Sequence, residues 1–459
     1  MSDDLDALIR SLFALPESIA GEPVTGLPAP AEVREQLRSR YDFARPVPLE
    51  QAAMDVAGML RRWSTHVTHP RYFGNFNPSV AVSGIVAETM VAAFNPQLAV
   101  WSHAPAAVEI EEHALAFLMR KLGLDPGAGA AHFASGGSEA NHTAVLAALT
   151  ERYPEYGTRG LAALGARPRL YASAEAHESF EKIAHATGIG REAVRRVATD
   201  AGGRLSVPAL AEAVAADRAA GWEPCIVVAT AGSTAVGAVD PLPALADLCA
   251  RERLWLHADA AWGGSCVMSP RLRPILAGIE RADSVTWDAH KWLSVPMGAG
   301  MFFAARRRPV AEAFRTRTGY MPESPEGTVD PYVASLQWSR RFIGLKVFLL
   351  LAEEGEEALA RRIEHQAAMG DLLRTRLAER GWRIENDTPL PLVCFTWPGW
   401  KGSAGRALAA AANVVGRGRA WISAVLRPDG ARWLRACITS FRTTPEDVAI
   451  LLDEVDRER

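Results

Sequence analysis

The 459-residue sequence lacks both a long hydrophobic run and an excess of charge of one sign. No uninterrupted apolar stretch reaches about 18 residues, so we expect no membrane-spanning helix. The 50 basic and 53 acidic residues leave a net charge of −3, without the basic excess that binding along a nucleic acid requires. The chain starts Met-Ser-Asp-Asp and has neither the basic region nor the apolar core of a signal peptide, which predicts a cytoplasmic protein.

Cysteine is also scarce. The five cysteines are odd in number and form no Cys-x-x-Cys pair, which indicates neither a disulfide framework nor a structural zinc site. We expect buried, reduced thiols and no metal site. The five residues are Cys225, Cys249, Cys266, Cys394 and Cys437.

Short apolar runs alternate with helical stretches from about residue 105 onward and indicate an α/β domain. The runs are apolar at every position, which is typical of strands covered on both faces. Helical stretches at 140–149, 208–216 and 241–250 lie between several of them. The sequence therefore predicts a mostly parallel sheet. The predicted strands are Ala130–Ala134, Arg169–Ala172, Cys225–Ala231, Leu254–Ala258, Ser284–Trp287 and Gly300–Ala304.

The two ends of the chain have other patterns. Residues 1–75 consist of helical pieces broken by loops, and we expect this segment to pack against a second subunit. Residues 76–340 form the predicted large domain. Residues 341–459 begin with a long helical stretch, continue with two strand candidates and end with a helix, which predicts a smaller α+β domain. Because ligands bind beyond the carboxyl ends of strands in open α/β sheets, we expect the chemistry in the loops that follow them.

Four of these loops carry residues suited to chemistry. Ser-Gly-Gly-Ser-Glu-Ala-Asn at 135–141 places glycines at a helix start, where backbone N–H groups and the helix dipole favour an anion such as phosphate. Asp259 and Lys291 each follow an apolar strand. A buried carboxylate requires a cation, and a lysine among apolar groups can form a Schiff base with an aldehyde. The fourth loop, Ala-His-Glu-Ser at 176–179, contributes the imidazole of His177.

Each loop also has a purely structural interpretation. The glycine turn can be a capped helix start, Asp259 and His177 can be helix caps, and Lys291 can be a solvated lysine. Together, a phosphate cradle, a buried acid, a Schiff-base lysine and an imidazole are the parts that hold pyridoxal 5′-phosphate. The acid pairs with the protonated pyridine nitrogen, so that the ring can accept electrons when a bond at the substrate's α-carbon breaks.

In this order the motifs resemble those of the group II pyridoxal-phosphate amino-acid decarboxylases, which include aromatic-L-amino-acid, tyrosine, histidine and glutamate decarboxylases. His-Ala-Asp-Ala-Ala-Trp at 257–262 and His-Lys-Trp at 290–292 carry most of the resemblance. Further matching stretches are His-Pro-Arg-Tyr-Phe at 69–73, Trp-Ser-His-Ala-Pro at 101–105, Thr-Ala-Gly-Ser-Thr at 230–234 and Arg-Arg-Phe at 340–342. The similarity runs from about residue 50 to 350 and continues more loosely to the end.

The resemblance implies the aspartate aminotransferase fold, known as fold type I, and an obligate homodimer. It also implies a role for each site residue. Lys291 would form the Schiff base with the cofactor, Asp259 would pair with the pyridine nitrogen, and Ala261 would lie under the ring. His177 would stack on the other face of the ring and align the substrate carboxylate. The remaining cofactor contacts would come from Gly136, Gly137 and Ser138 around the phosphate, and from Thr230 and His290.

The family also uses a tyrosine on a mobile loop, which acts across the dimer interface near protonation of the α-carbon. The matching region, 318–338, is rich in Gly, Pro and Glu and suits a flexible lid. Tyr332, eight positions before Arg340, is the candidate, and Tyr320 is the alternative. Without such a role, either would be an ordinary surface-loop tyrosine.

One departure from the family pattern lies beside the lysine. The family commonly has Asn-Pro-His-Lys where this chain has Asp-Ala-His-Lys at 288–291. An aspartate there would repel the phosphate unless it turns away to cap backbone N–H groups or pairs with a base. Asp288 is therefore not expected to bind the phosphate.

A second departure concerns the substrate pocket. Asn75, Gln97 and Ala99 stand at wall positions that are aromatic or branched in the aromatic decarboxylases, whereas Phe76 keeps an aromatic ring. Trp101, which anchors the alignment, completes the predicted pocket. An unsatisfied buried amide costs about 1–3 kcal/mol, so this roomier wall should favour a substrate with polar groups.

The leading prediction is pyridoxal-phosphate-dependent decarboxylation of an L-amino acid to an amine and CO2, with an aromatic substrate because the overall pattern is nearest that branch. One alternative is a polar or acidic aliphatic substrate. Another is oxygen-consuming decarboxylation and deamination to an aldehyde, or transamination. Retention of Tyr332 favours simple decarboxylation. A homologue without activity is disfavoured, because Lys291, Asp259 and His177 are all present.

Overall fold

The computed structural model describes residues 2–77, 79–316, 318–322, 324–400 and 403–459. It divides into two compact units. The smaller consists of residues 1–82, 368–385 and 392–459, and the larger of residues 83–367 and 386–391. The smaller unit thus combines both ends of the chain, and the three-part division remains a prediction. No described helix is both long enough and apolar enough to cross a membrane.

The larger unit contains a seven-stranded mixed sheet, and the smaller unit a four-stranded antiparallel one. The strands of the first are β1 (Ala130–Ala134), β2 (Arg167–Ser173), β3 (Val194–Val197), β4 (Trp222–Thr230), β5 (Trp255–Asp259), β6 (Ser284–Asp288) and β7 (Gly300–Ala304). Those of the second are β8 (Arg383–Ile384), β9 (Leu392–Thr396), β10 (Ser423–Leu426) and β11 (Arg432–Cys437).

Most strands of the larger sheet are parallel, as the uniformly apolar runs predict. The order is β1-β7-β6-β5-β4-β2-β3, and the five strands from β6 to β3 run parallel. Only β7 is reversed relative to both its neighbours, so β1 points the same way as the parallel group. The carboxyl ends of β1, β2, β4, β5 and β6 consequently lie at one edge. Every residue of β5 and β6 is buried.

The helices surround and connect these strands. In chain order they are α1 (Asp3–Ser18), α2 (Pro30–Arg40), α3 (Leu49–Trp63), α4 (Val82–Phe94), α5 (Pro105–Leu122), α6 (Gly137–Arg152), α7 (Tyr156–Arg159), α8 (Ser179–Ala186), α9 (Val207–Ala219), α10 (Leu242–Glu252), α11 (Arg307–Phe314), α12 (Leu345–Glu379), α13 (Ala404–Gly416) and α14 (Pro445–Asp456). Within α12, Gly355 has a φ of 63°, so the predicted long stretch is two helical segments joined at a glycine.

Small side chains set the position of α6 on the larger sheet. Ala140, Ala144, Ala147 and Ala148 are buried in one core cluster with sheet residues such as Phe302. Alanine methyl groups let a helix approach a sheet closely and bury apolar area without the entropy loss of long side chains. Because α6 follows β1 directly, this packing holds its amino end at the carboxyl edge of the sheet.

The smaller unit has its own core and an apolar helical surface. Trp382 makes edge-on contacts with Phe395 and Trp400, with ring centroids 5.4 and 5.6 Å apart. On α1 and α3, in contrast, large apolar side chains remain exposed. They are Leu12, Leu49, Met54, Val56 and Leu60.

Candidate active site

The structure places most of the predicted cofactor residues at the carboxyl edge of the larger sheet. Thr230 ends β4 and pairs in register with Asp259, which ends β5. Asp288 ends β6, and Lys291 follows in the next turn. The cradle at 135–138 follows β1, and His177 lies four residues beyond β2. These four loops and the end of β4 therefore lie at the edge where the strand pattern predicts the chemistry.

The carboxylate of Asp259 is buried among neutral donors. Its Oδ2 accepts a hydrogen bond from Asn141 Nδ2 over 2.9 Å, and its Oδ1 accepts one from the backbone N–H of Ala261 over 3.2 Å. Asp259 is 7% exposed, and none of the residues that the structure describes forms an ion pair with it. Because a buried charge is costly without a cation, this carboxylate is suited to a protonated ring nitrogen.

Lys291 lies against Asp288. Its Nζ is 3.0 Å from Asp288 Oδ2, and the aspartate side chain is only 2% exposed. The aspartate thus pairs with a base, one of the two arrangements expected from the sequence. His290 approaches the same oxygen, with Nε2 at 3.7 Å. Burial lowers the pKa of His290, and its Nδ1 accepts a hydrogen bond from Ala299 N–H, so the neutral ring carries its proton on Nε2, facing the carboxylate.

The start of α6 forms a cradle without side chains. A Cβ on Gly137 would lie 2.9 Å from Asp288 Oδ2 and 3.4 Å from the Ala261 methyl carbon. A Cβ on Gly300 would lie 2.5 Å from the backbone of Gly136, so β7 and the cradle touch closely. No described residue accepts a hydrogen bond from the N–H groups of Gly137 or Ser138. Free N–H groups at a helix start are suited to bind a phosphate.

Thr230 and His177 complete the set of predicted cofactor residues. The Thr230 hydroxyl is buried and has no hydrogen-bond partner among the described residues, so it can serve a ligand. Its backbone N–H donates to Asp240, whose pKa burial raises to about 7. The His177 side chain is exposed, and its Nδ1 accepts a hydrogen bond from Ser179 N–H over 3.2 Å. The stacking role of His177 stays a prediction.

The candidate tyrosine lies in a loop that contacts a predicted pocket residue. Tyr332 is half-buried in a short helical turn, and its N–H donates to Ala99 O over 3.0 Å. Its ring centroid is 4.9 Å from that of Trp338. Tyr320 is 74% exposed and stacks on the same tryptophan at 6.5 Å. Burial and proximity to Ala99 favour Tyr332 over Tyr320. Residues 317 and 323 in and beside this loop lie outside the described part of the chain.

Two further side chains anchor the loop, and the sequence analysis did not identify them. Asp330 Oδ1 accepts a hydrogen bond from Trp101 N–H over 2.8 Å. Gln337 Nε2 donates to both carboxylate oxygens of Glu139 over 2.8 and 2.9 Å, and Glu139 lies in the first turn of α6. The loop is thereby tied to the predicted pocket and to the cradle helix.

The predicted pocket residues have different surroundings in each unit. In the larger unit, Gln97 is exposed, and its amide already has partners in Ser339 Oγ and Ala99 N–H. In the smaller unit, Phe76 lies next to Arg435, and the Asn75 N–H donates to the Tyr72 hydroxyl over 3.2 Å. The Arg435 guanidinium is 5.1 Å from the Phe76 ring centroid and donates to Gly74 O over 2.7 Å. Arg435 is 3% exposed, so a cation is buried beside a predicted pocket residue.

Comparisons with known proteins agree on one family. Residues 30–397 match the family described as pyridoxal-dependent decarboxylase conserved domain. Human cysteine sulfinic acid decarboxylase is 30% identical over 85% of this chain and 81% of its own length. The aromatic-L-amino-acid decarboxylase of Bacillus atrophaeus is 32% identical over 72% of this chain and 68% of its own. The crystal structure of mouse CSAD in apo form has a TM-score of 0.91 and 27% identity, and the match covers 99% of this chain and 98% of that one.

The fold and the site together define a fold type I enzyme that uses pyridoxal phosphate. This chain belongs to the pyridoxal-dependent decarboxylase family, as the resemblance of its motifs implied, and it is a pyridoxal-phosphate-dependent amino-acid decarboxylase. The residues present fit the cofactor. The cradle offers free N–H groups, Thr230 offers an unpaired buried hydroxyl, and Asp259 offers a buried charge without a cation.

Proposed function

We propose that the substrate is a short L-amino acid whose side chain ends in an acidic group. The observation that carries this proposal is the buried guanidinium of Arg435 beside Phe76. If Asn75 and Phe76 line the pocket as the sequence predicts, a carboxylate or sulfinate held there can form paired hydrogen bonds with this cation. The human relative named for cysteine sulfinic acid supports the same chemistry.

An aromatic substrate is the second candidate. Phe76 offers an aromatic surface for stacking, and the Bacillus relative is named for aromatic amino acids. The Gln97 amide already has hydrogen-bond partners within the chain, so it does not need a polar group on the substrate. An aromatic substrate therefore leaves no polar group of Gln97 unsatisfied.

We assign the chemical roles as follows. Bound pyridoxal phosphate supplies a ring that accepts the electron pair released when the bond from the α-carbon to the carboxylate breaks. Lys291 would hold the cofactor through Nζ, and Asp259 would hold the proton on the ring nitrogen. Asn141 and the N–H of Ala261 each engage one oxygen of Asp259, so the carboxylate cannot rotate away. Asp288 holds the amine of Lys291 whenever that amine is free and charged.

Tyr332 is proposed to deliver a proton to the α-carbon after CO2 leaves. The anchored loop holds the tyrosine beside Ala99 and shields the reacting carbon from water and oxygen. Rapid protonation ends the reaction at the amine rather than at an aldehyde. The enzyme is thus proposed to act as a simple decarboxylase.

We further propose a cytoplasmic homodimer. The exposed apolar side chains of α1 and α3 form a surface of the kind that a partner subunit covers. The partner in this proposal is a second copy of the chain. Size-exclusion chromatography with light scattering tests it, and a monomeric holoenzyme with full activity would contradict it.

The substrate proposal is tested with the purified holoenzyme and a panel of L-amino acids. The panel contains cysteine sulfinate, aspartate, glutamate, 2,4-diaminobutyrate, tyrosine, tryptophan and dihydroxyphenylalanine, and the assay measures CO2, amine, aldehyde and peroxide. We expect the highest kcat/KM for an acidic member. Preference for an aromatic member would contradict the proposal and support the second candidate.

Arg435 is tested with a matched pair of variants. Arg435→Gln should raise KM for the acidic substrate at least about 10-fold, since a charge-assisted hydrogen bond contributes about 1.5–3 kcal/mol. Arg435→Lys keeps a positive charge, so it should raise this KM by a smaller factor. Arg432→Gln, on the same strand but more exposed, is the control and should behave as wild type. An unchanged KM in Arg435→Gln would refute the role.

A further inference from the structure

A continuous chain of hydrogen bonds runs behind Asp259. Asn141 Nδ2 donates to Asp259 Oδ2 over 2.9 Å, and Asn141 Oδ1 lies 3.0 Å from His257 Nε2. His257 Nδ1 lies 2.9 Å from Ser284 Oγ, which also accepts a hydrogen bond from Trp255 Nε1 over 2.9 Å. We call Trp255, Ser284, His257 and Asn141 the relay. Apart from Asn141, none of them has a role in the assignments above.

The two ends of the relay fix the direction of each proton in it. The Asn141 amide nitrogen donates to Asp259, so its oxygen must accept from His257 Nε2. A neutral His257 with its proton on Nε2 has a bare Nδ1, which accepts the hydroxyl proton of Ser284. The Trp255 indole N–H can only donate, so Ser284 accepts from it. All four donors therefore point toward the carboxylate, and hydrogen bonds aligned in this way strengthen one another.

Burial and strand geometry hold the relay in this state. His257 and Ser284 have no exposed surface, and Asn141 is 2% exposed. Burial lowers the pKa of His257 to about 4, so the ring is neutral at pH 7. Side chains alternate along a strand, which places Trp255, His257 and Asp259 of β5 on one face. Ser284 of β6 pairs with His257 in register.

We infer that Asn141 and His257 are positioning residues for Asp259. They hold Oδ2 in place through the aligned donors of the relay. A carboxylate fixed in this way would keep the proton on the ring nitrogen of bound pyridoxal phosphate, which the electron-withdrawing role of the ring requires. The inference rests on the cofactor-binding role of Asp259 and concerns the groups that make this role effective.

Four variants separate positioning from folding. Asn141→Ala removes the donor to Asp259. His257→Asn is too short to reach Asn141, whereas His257→Gln can place an amide N–H near the former Nε2 and rescue the contact. Thr143→Val is the matched control, because Thr143 is equally buried on α6 but its hydroxyl donates to Glu139 O, outside the relay.

The measurement compares two cofactors. Equilibrium dialysis gives the affinity of each apoenzyme for pyridoxal phosphate and for its 1-deaza analogue, in which carbon replaces the ring nitrogen. Since the relay acts through that nitrogen, we expect Asn141→Ala and His257→Asn to weaken binding of pyridoxal phosphate by about 10-fold, the effect of losing one hydrogen bond to a charged group. Binding of the analogue should stay nearly constant. His257→Gln and Thr143→Val should resemble wild type with both cofactors.

Two results would overturn the inference. Equal weakening for both cofactors would show a general packing defect, and unchanged affinity of Asn141→Ala for pyridoxal phosphate would show that the relay does not act on Asp259. If circular dichroism shows that these variants do not fold, Ser284→Ala takes their place. This variant leaves Asn141 and Asp259 intact, but the His257 ring no longer has the partner that fixes its tautomer. We therefore expect a smaller loss of affinity, which is still confined to pyridoxal phosphate. If Ser284→Ala weakened the binding of both cofactors equally, the proposed role of the relay would also be refuted. Wild-type protein that binds pyridoxal phosphate no more tightly than the 1-deaza analogue would instead disprove the role of Asp259 itself.

Discussion

Replacing Asp288 with asparagine should strengthen binding of the cofactor phosphate. The aspartate carboxylate lies 2.9 Å from the position that a Cβ of Gly137 would occupy, so its negative charge borders the cradle. The same carboxylate lies 3.0 Å from Lys291 Nζ, and this cation offsets part of the charge. Asparagine has nearly the same shape and can keep a contact with the lysine, so Asp288→Asn changes charge with little change in packing.

The expected size of the effect follows from Coulomb's law. Two unit charges about 5 Å apart interact by about 3 kcal/mol at an effective dielectric constant of about 20. Because Lys291 cancels a large part of this repulsion, we expect a net gain of about 1.4 kcal/mol, or about 10-fold tighter binding of pyridoxal phosphate.

The assay compares pyridoxal phosphate with pyridoxal, which has the same ring but no phosphate. Equilibrium dialysis against wild type and Asp288→Asn should show tighter binding only for the phosphorylated form. Asp283→Asn is the matched control, because Asp283 immediately precedes β6 at its opposite end and pairs with Arg306. An equal change for both compounds, or weaker binding of pyridoxal phosphate, would refute the electrostatic argument and leave Asp288 as a partner of the lysine alone.

Three further outcomes are expected. Asp259→Ala should lower the decarboxylation rate by several orders of magnitude at saturating cofactor, and a rate near wild type would disprove its role. Tyr332→Phe should divert product from amine to aldehyde and peroxide, whereas Tyr320→Phe should not. His132 is buried without a partner for either ring nitrogen among the described residues, so His132→Leu should raise the free energy of unfolding by about 1–3 kcal/mol in urea titrations. Burial also lowers the pKa of His132 to about 3, so protonation of this ring costs no stability above pH 6.5 and destabilises the fold increasingly as the pH falls below 6.5. The variant should therefore be less sensitive to acid between pH 6.5 and 4, and an equal acid sensitivity would contradict this.

Uniformly apolar segments were predictable from the sequence, and polar ones were not. Ala130–Ala134 and Gly300–Ala304 are strands with the predicted bounds, because burial on both faces requires apolar side chains throughout. The edge strand β3 was not predicted. Its four residues, Val194–Val197, include two arginines and are mostly half-buried, so no apolar run marks them. The break at Gly355 was also missed, since the helical pattern continues on both sides of it.

The site shows a similar limit. The residues expected to face a ligand belong to recognisable motifs, so Lys291 and Asp259 could be predicted as site residues from the sequence. Their supporting groups could not, because a contact such as that of Ser284 with His257 depends on the register between β5 and β6. His257 belongs to the motif His-Ala-Asp-Ala-Ala-Trp, two residues before Asp259. That spacing places both side chains on one face of a strand, and it was the only feature of the sequence that linked them.

The placement of Trp255, His257 and Asp259 on one face of β5 restricts how the chain can vary in length. Deleting or inserting one residue within this strand would turn the side chains on one side of the change to the opposite face, so the three could no longer share a face. Loop segments that hold no cofactor residue carry no such restriction, since their length does not set the register. Efforts to give this protein a new substrate should therefore change those segments and leave the five residues of β5 in their present alternation between the two faces.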